Sequence, residues 1–127
     1  MARLVALIDD DNSVRESLQS LIRSAGFTVR AFDTAEQFLN SPRLQEAVCL
    51  VLDVRLPGMS GTELYRHMLS NGCKLPVIFM TAHATDEEAR MQALANGALA
   101  YLIKPFDEGE LLAAIHRAIL SESRQDD

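Results

Sequence analysis

Long apolar runs are missing from this chain. None approaches the roughly 20 residues that carry a helix across a bilayer, which excludes a helical membrane span. A surplus of positive charge is missing as well: 12 Lys and Arg stand against 18 Asp and Glu, a net charge of -6. That balance disfavours unaided binding to nucleic acid or to an anionic membrane, since both carry phosphate charge. No segment reads as a DNA-binding element. The amino-terminal "MARLVALIDDD" has one Arg and a short apolar run ending in acids, without the longer apolar core and small-residue cleavage site of a signal peptide. Cysteine is scarce. Cys49 and Cys73 form no spacing motif, so they read as reduced thiols, with Cys49 in the core. Internal repeats and low-complexity stretches are absent. The expectation is a single cytoplasmic domain of ordinary composition, 48% apolar and 24% charged, whose 127 residues suffice for a proper core.

What is present is alternation. Short apolar runs occur at 4–8, 27–32, 48–52, 77–80 and 99–103. Each reads as a strand covered on both faces. Helical patterns with clear punctuation lie between them. Ser13 and Glu16, Thr34 and Gln37, Ser60 and Glu63, and Thr85 and Glu88 are spaced as capping boxes; Asp107 and Glu110 repeat the spacing with Asp as the cap. Val14, Leu18, Leu21, Ile22 and Ala25 form one helical stripe, and Leu111, Leu112, Ile115 and Ile119 another. Gly26, Asn71-Gly72 and Asn96-Gly97 offer left-handed residues where helices stop. The pattern is βα repeated five times. It predicts an α/β fold with a five-stranded parallel sheet of flavodoxin-like order 2-1-3-4-5 and helices on both faces.

The strand ends carry the chemistry. The first ends in Asp9-Asp10, the third in Asp53, the fourth in Thr81 and the fifth in Lys104. The second ends in Phe32-Asp33, with no comparable group. In a parallel sheet these ends share one edge, and open α/β sheets bind ligands in the crevice there. Three carboxylates this close raise one another's pKa unless a cation joins them. Hard oxygen donors facing solvent suit Mg²⁺ (or Mn²⁺), which binds through one or two carboxylates plus phosphate. Thr81 can donate a hydrogen bond, and Lys104 supplies a point charge for a phosphate. The set reads as a site for a phosphoryl group on or near a carboxylate. Each piece alone has an ordinary explanation. Acids ahead of a helix often only cap it, and Asp11 reads that way or as solvated. Thr81 alone could cap a helix, and Lys104 before Pro105 could be a turn residue. The weight rests on four suitable residue types at four strand ends.

The stretches "LIDDDNSVRESL", "LVLDVRLPGMSGTEL", "PVIFMTAHA" and "AYLIKPF" resemble, in order and spacing, the receiver domains of bacterial two-component response regulators. "VRESL" and "GFTVRAFDTAEQFL" are most similar to receivers of the nitrogen-fixation-regulator type, which precede a helix-turn-helix output domain. The resemblance implies a receiver domain over 1–120, with 121–127 a polar tail or the start of a linker. It implies that Asp53 accepts a phosphoryl group from a phosphohistidine of a sensor histidine kinase or phosphotransfer protein. Asp10, Asp53 and the carbonyl of Arg55 would ligate Mg²⁺ directly, with Asp9 holding a metal-bound water. Thr81 and Lys104 would bind phosphoryl oxygens, and Tyr101 would be the switch aromatic that turns inward as Thr81 moves. Arg55 and His83 fall at positions that tune dephosphorylation. The Lys104–Pro105 bond would be cis. The chain would be no enzyme beyond its own phosphorylation and dephosphorylation, and a homodimer on phosphorylation is a further implication.

Three other readings compete. Haloacid-dehalogenase-type phosphatases place Asp-x-Asp after a first strand, and Asp9 and Asp11 fit that spacing, but Asp53 would then have no role. A flavodoxin-like cofactor module needs a phosphate loop rich in Ser, Thr or Gly where three acids stand. A receiver that binds partners without phosphorylation needs no change of sequence.

Overall fold

The computed structural model describes residues 3–41, 46–82 and 87–125. The elements run β1 (Leu4–Ile8), α1 (Asn12–Ser24), β2 (Thr28–Phe32), α2 (Ala35–Leu39), β3 (Ala47–Asp53), α3 (Gly61–Ser70), β4 (Val77–Thr81), α4 (Glu87–Ala95), β5 (Ala100–Ile103) and α5 (Glu108–Gln125). All pairings are parallel and the order is β2-β1-β3-β4-β5, as the alternation predicts.

Strand residues alternate between two cores because successive side chains leave opposite faces. Val5, Leu7, Cys49, Val51, Ile78 and Met80 pack with Leu18 and Ile22 of α1 and Leu111 and Ile115 of α5. Ala6, Ile8, Leu50, Leu52 and Phe79 pack with Phe38 of α2 and Leu64 and Met68 of α3. Each large side chain buried this way contributes about 1.5–3 kcal/mol against its exposed state. Both edge strands depart from the expected cover on both faces: in β5 Tyr101 is half-buried and Ile103 exposed. In β2 only Val29 is buried, while Thr28 and Arg30 are exposed, since one edge and part of each face meet water.

Helix punctuation agrees with the sequence reading apart from corrections at the starts of α1 and α2. Asp11, not Ser13, caps α1: its backbone is extended and its Oδ1 accepts from the Ser13 and Val14 amides at 2.9 and 3.2 Å. Ser13 is already inside the helix, and a carboxylate also gains from the helix dipole. Ser60 and Glu63 form a complete box. Thr34 accepts from the Gln37 amide, but Gln37 reaches back to the Asp33 amide, one residue beyond the cap. Glu110 accepts from the Asp107 amide at 3.3 Å. The Thr85–Glu88 box lies outside the described residues. Gly26, Gly72 and Gly97 take the expected positive φ after their helices. α5 stays helical to Gln125, past the expected stop at Leu120, since no Gly or Pro stands beyond it to break the helix. α4 contributes no buried side chain.

Candidate functional site

Register brings the strand ends together. Ile8 pairs with Leu52, so Asp9 comes next beside Asp53. Asp53 pairs with Met80, which puts Thr81 one step further on, and Thr81 pairs with Ile103, immediately before Lys104. The Lys104 amide donates to the Thr81 carbonyl at 2.7 Å, and the Lys104–Pro105 bond is cis, as the resemblance implies. Lys104 Nζ then reaches back across the sheet edge. It donates to Asp9 Oδ2 at 2.8 Å and to Asp53 Oδ2 at 3.2 Å. The second oxygen of each acid is held by backbone. Asp9 Oδ1 accepts from the Asp11 amide at 2.9 Å, and Asp53 Oδ1 from the Arg55 amide at 3.1 Å.

Burial sorts the group. Asp9, Asp53 and Thr81 are buried, whereas Asp10 is exposed beside them. Burial pushes the Asp53 carboxyl above its ordinary pKa; the Lys104 ammonium pulls it down, the Asp9 charge pushes it up again, and the Arg55 amide pulls down more weakly. Burial works against the Lys104 ammonium, but the Asp9 hydrogen bond and the charges of Asp53 and Asp9 overcome it and hold its pKa above the usual lysine value. The cation therefore stays charged at neutral pH.

Asp9, Asp10 and Asp53 each offer a carboxylate oxygen, and these lie within 4.8 Å of one another. An all-oxygen donor set with one solvent-facing member fits Mg²⁺ or Mn²⁺, which retain water ligands, better than a soft metal. The sequence singled out these residues, and the fold brings Asp9, Asp10, Asp53, Thr81 and Lys104 to one crevice. Arg55 lies two residues beyond Asp53 with its side chain exposed. Tyr101 stands apart on β5, half-buried, its ring 5.8 Å from that of Phe79. His83 lies outside the described residues.

Two residues on the flanking helices carried no local signal. Arg15 on α1 donates to the Asp9 carbonyl at 2.7 Å and to Asn12 Oδ1 at 2.9 Å, tying the acidic turn to the helix. Glu36 on α2 accepts from the Met59 amide at 3.1 Å, tying α2 to the loop after β3. Both sit where an exposed helical charge is the ordinary reading.

Residues 5–116 match the family model of the response regulator receiver domain, and the chain belongs to that family. Among its relatives, response regulator protein TodT of Pseudomonas putida is 42% identical over 118 residues, 93% of this chain and 52% of TodT. Transcriptional regulatory protein FixJ of Bradyrhizobium diazoefficiens is 40% identical over 115 residues, 91% of this chain and 56% of FixJ, which bears out the nitrogen-fixation-regulator type. The solved structure of response regulator StyR superimposes with a TM-score of 0.89 at 44% identity, covering 99% of this chain and 64% of that one. The chain spans about half the length of the curated relatives it matches. Receiver domains are signalling modules of two-component systems that bind Mg²⁺ at an acidic pocket and interact with histidine kinases. Membership decides against the phosphatase and flavin-module readings. Among the described residues, no helix is long and apolar enough to cross a membrane.

Proposed function

We propose that this receiver, acting in the cytoplasm, takes a phosphoryl group onto Asp53 from a phosphohistidine of a sensor histidine kinase or phosphotransfer protein. The observation that carries the reading is the Lys104 ammonium between Asp9 and Asp53, at 2.8 and 3.2 Å, beside the solvent-facing Asp10. A carboxylate oxygen of Asp53 forms the new O–P bond as the P–N bond to the kinase breaks, and the electron pair stays on the leaving imidazole. Such transfer is mainly positioning and charge neutralisation. The Arg55 amide orients Asp53 by holding one oxygen. Lys104 gives up its contact with the Asp53 carboxylate to pair with a phosphoryl oxygen, keeping Asp9 as its anchor. The Thr81 hydroxyl donates to another phosphoryl oxygen. Asp10, Asp53 and the Arg55 carbonyl would hold Mg²⁺, with Asp9 reaching it through water. When bound, the metal neutralises the charge that develops on the transferring group.

The readout runs outward from Thr81. Movement of Thr81 towards the phosphoryl group opens space beside Phe79 into which Tyr101 turns. A crevice lined by Thr62, Tyr65, Phe79, Gln92 and Tyr101 separates α3 from α4 there. Because α4 buries no side chain of its own, its position costs little to change, and the surface of α4, β5 and α5 is the element that switches. The phosphorylated face then forms a homodimer or engages an output domain that regulates transcription. The deciding experiment is incubation with acetyl phosphate and Mg²⁺. A single acid-stable, hydroxylamine-labile phosphoryl group is expected, lost on chelation and in Asp53→Asn. Unchanged labelling of Asp53→Asn would place the chemistry elsewhere.

A further inference from the structure

The loop between β3 and α3 is held at both ends, and only one end belongs to the site already described. At the near end the Arg55 amide donates to Asp53 Oδ1, and the Gly61 amide donates to the Val54 carbonyl at 2.9 Å. The chain turns so tightly that a Cβ on Gly61 would overlap the Asp53 carbonyl oxygen. At the far end the Glu36 carboxylate, from a helix 23 residues earlier, accepts from the Met59 amide at 3.1 Å. Gly58 makes room for it. Its φ of +73° is left-handed, and a Cβ there would come within 2.8 Å of Glu36 Oε2. Glu36 is otherwise exposed. Its carboxylate fills a place shaped by a residue with no side chain, and a charged acceptor on a backbone amide makes a strong tether.

We propose that Glu36 is a positioning residue for phosphoryl transfer: by holding the Met59 amide it fixes the loop whose Arg55 amide orients Asp53. The inference rests on the proposed phosphorylation of Asp53. Releasing Met59 removes the loop's hydrogen bond to α2 and leaves the segment held by the buried Leu56, the packing of the Met59 side chain and the Ser60–Glu63 box at the start of α3. The Arg55 amide then holds Asp53 less sharply in the direction of attack. Reaction rates are steep in that coordinate, since a misplacement of about 1 Å can cost on the order of a hundredfold.

The test compares the unsubstituted chain with Glu36→Ala and Glu36→Gln. Single-turnover labelling by acetyl phosphate is measured across acetyl phosphate and Mg²⁺ concentrations, with amide exchange at Met59 monitored in parallel. Glu36→Ala is expected to speed exchange at Met59 and to lower the maximal labelling rate roughly three- to tenfold, with half-saturating concentrations little changed. Glu36→Gln keeps an amide oxygen as acceptor and is expected to recover most of the rate. Labelling of Glu36→Ala at the unsubstituted rate, with faster exchange at Met59, overturns the inference while leaving Asp53 as acceptor. Equal slowing of both variants overturns it too, since the hydrogen bond would not be what matters. Absence of labelling in the unsubstituted chain overturns the phosphorylation reading and this inference with it.

Discussion

Replacing Lys104 by Met tests the electrostatics of the crevice in the absence of any phosphoryl group. Lys104 Nζ lies 2.8 Å from Asp9 Oδ2 and 3.2 Å from Asp53 Oδ2, with its side chain 20% exposed and that of Asp9 fully buried. At an effective dielectric constant of about 20, each contact is worth on the order of 5 kcal/mol before desolvation is counted. Desolvating the ammonium and the acids offsets most of this, so the pair as a whole adds little stability. The variant removes one side only. Asp9 stays at zero exposure with just the Asp11 amide, at 2.9 Å, to serve its charge, and Asp53 remains alongside. Truncating one partner of a buried pair costs about 3–5 kcal/mol, and the partial exposure of Lys104 reduces that to about 2–3 kcal/mol here. Urea denaturation in the presence of a chelator should show the midpoint lowered by about 1–2 M with the slope unchanged. Thermal melting should fall by about 6–12 °C. Mg²⁺ should recover part of the loss in the variant, because a divalent cation held among Asp9, Asp10 and Asp53 replaces the missing charge and binds only the folded chain. The double variant Asp9→Asn with Lys104→Met should be more stable than the sum of the two single losses requires. A loss below about 0.5 kcal/mol for Lys104→Met, or strict additivity in the cycle, would refute the reasoning.

Other parts of the fold can be tested in the same way. Gly61→Ala drives a methyl into the Asp53 carbonyl oxygen, and backbone cannot yield cheaply; a loss of about 3 kcal/mol or more is expected in urea denaturation, and near-normal stability would mean the approach is not so close. Thr81→Ala should still be labelled at Asp53, yet a beryllofluoride mimic should change amide exchange over residues 87–106 and self-association in sedimentation much less than in the unsubstituted chain; an equal response would remove Thr81 from the readout. Cys73 is exposed and should react with a maleimide in the folded protein, while Cys49 is buried, its thiol pushed up to about 12 by burial, and should react only on unfolding. The unfolded Cys49 thiol ionises above its ordinary 9.0 while the folded one stays neutral, so its contribution to stability is complete below pH 9 and is lost as pH rises towards 12; Cys49→Ala should show a shallower alkaline decline.

Much of this protein was legible in its order of residues. Apolar runs at 4–8, 48–52 and 77–80 with capped, amphipathic segments between them allow few folds besides a parallel sheet with crossover helices. A parallel sheet puts every strand's carboxyl end on one edge, so Asp9, Asp10, Asp53, Thr81 and Lys104 could be read as neighbours from the chain alone. Those inferences rest on periodicity and on the residue type that ends each strand, which are local properties of the chain. Other features were settled only in three dimensions. Asp11 rather than Ser13 caps α1, because the choice depends on which residue first takes helical backbone angles. The cover of β2 depends on its place at the sheet's edge, not on its apolar count. Lys104 joins two carboxylates because its stem can cross the gap between β5 and β1 over intervening strand ends. The contacts of Arg15 with the Asp9 carbonyl and of Glu36 with the Met59 amide left no trace in the sequence. A charged residue on a helix looks the same to a sequence pattern whether it faces water or a distant backbone amide, and only the packing of one element against another decides which it meets.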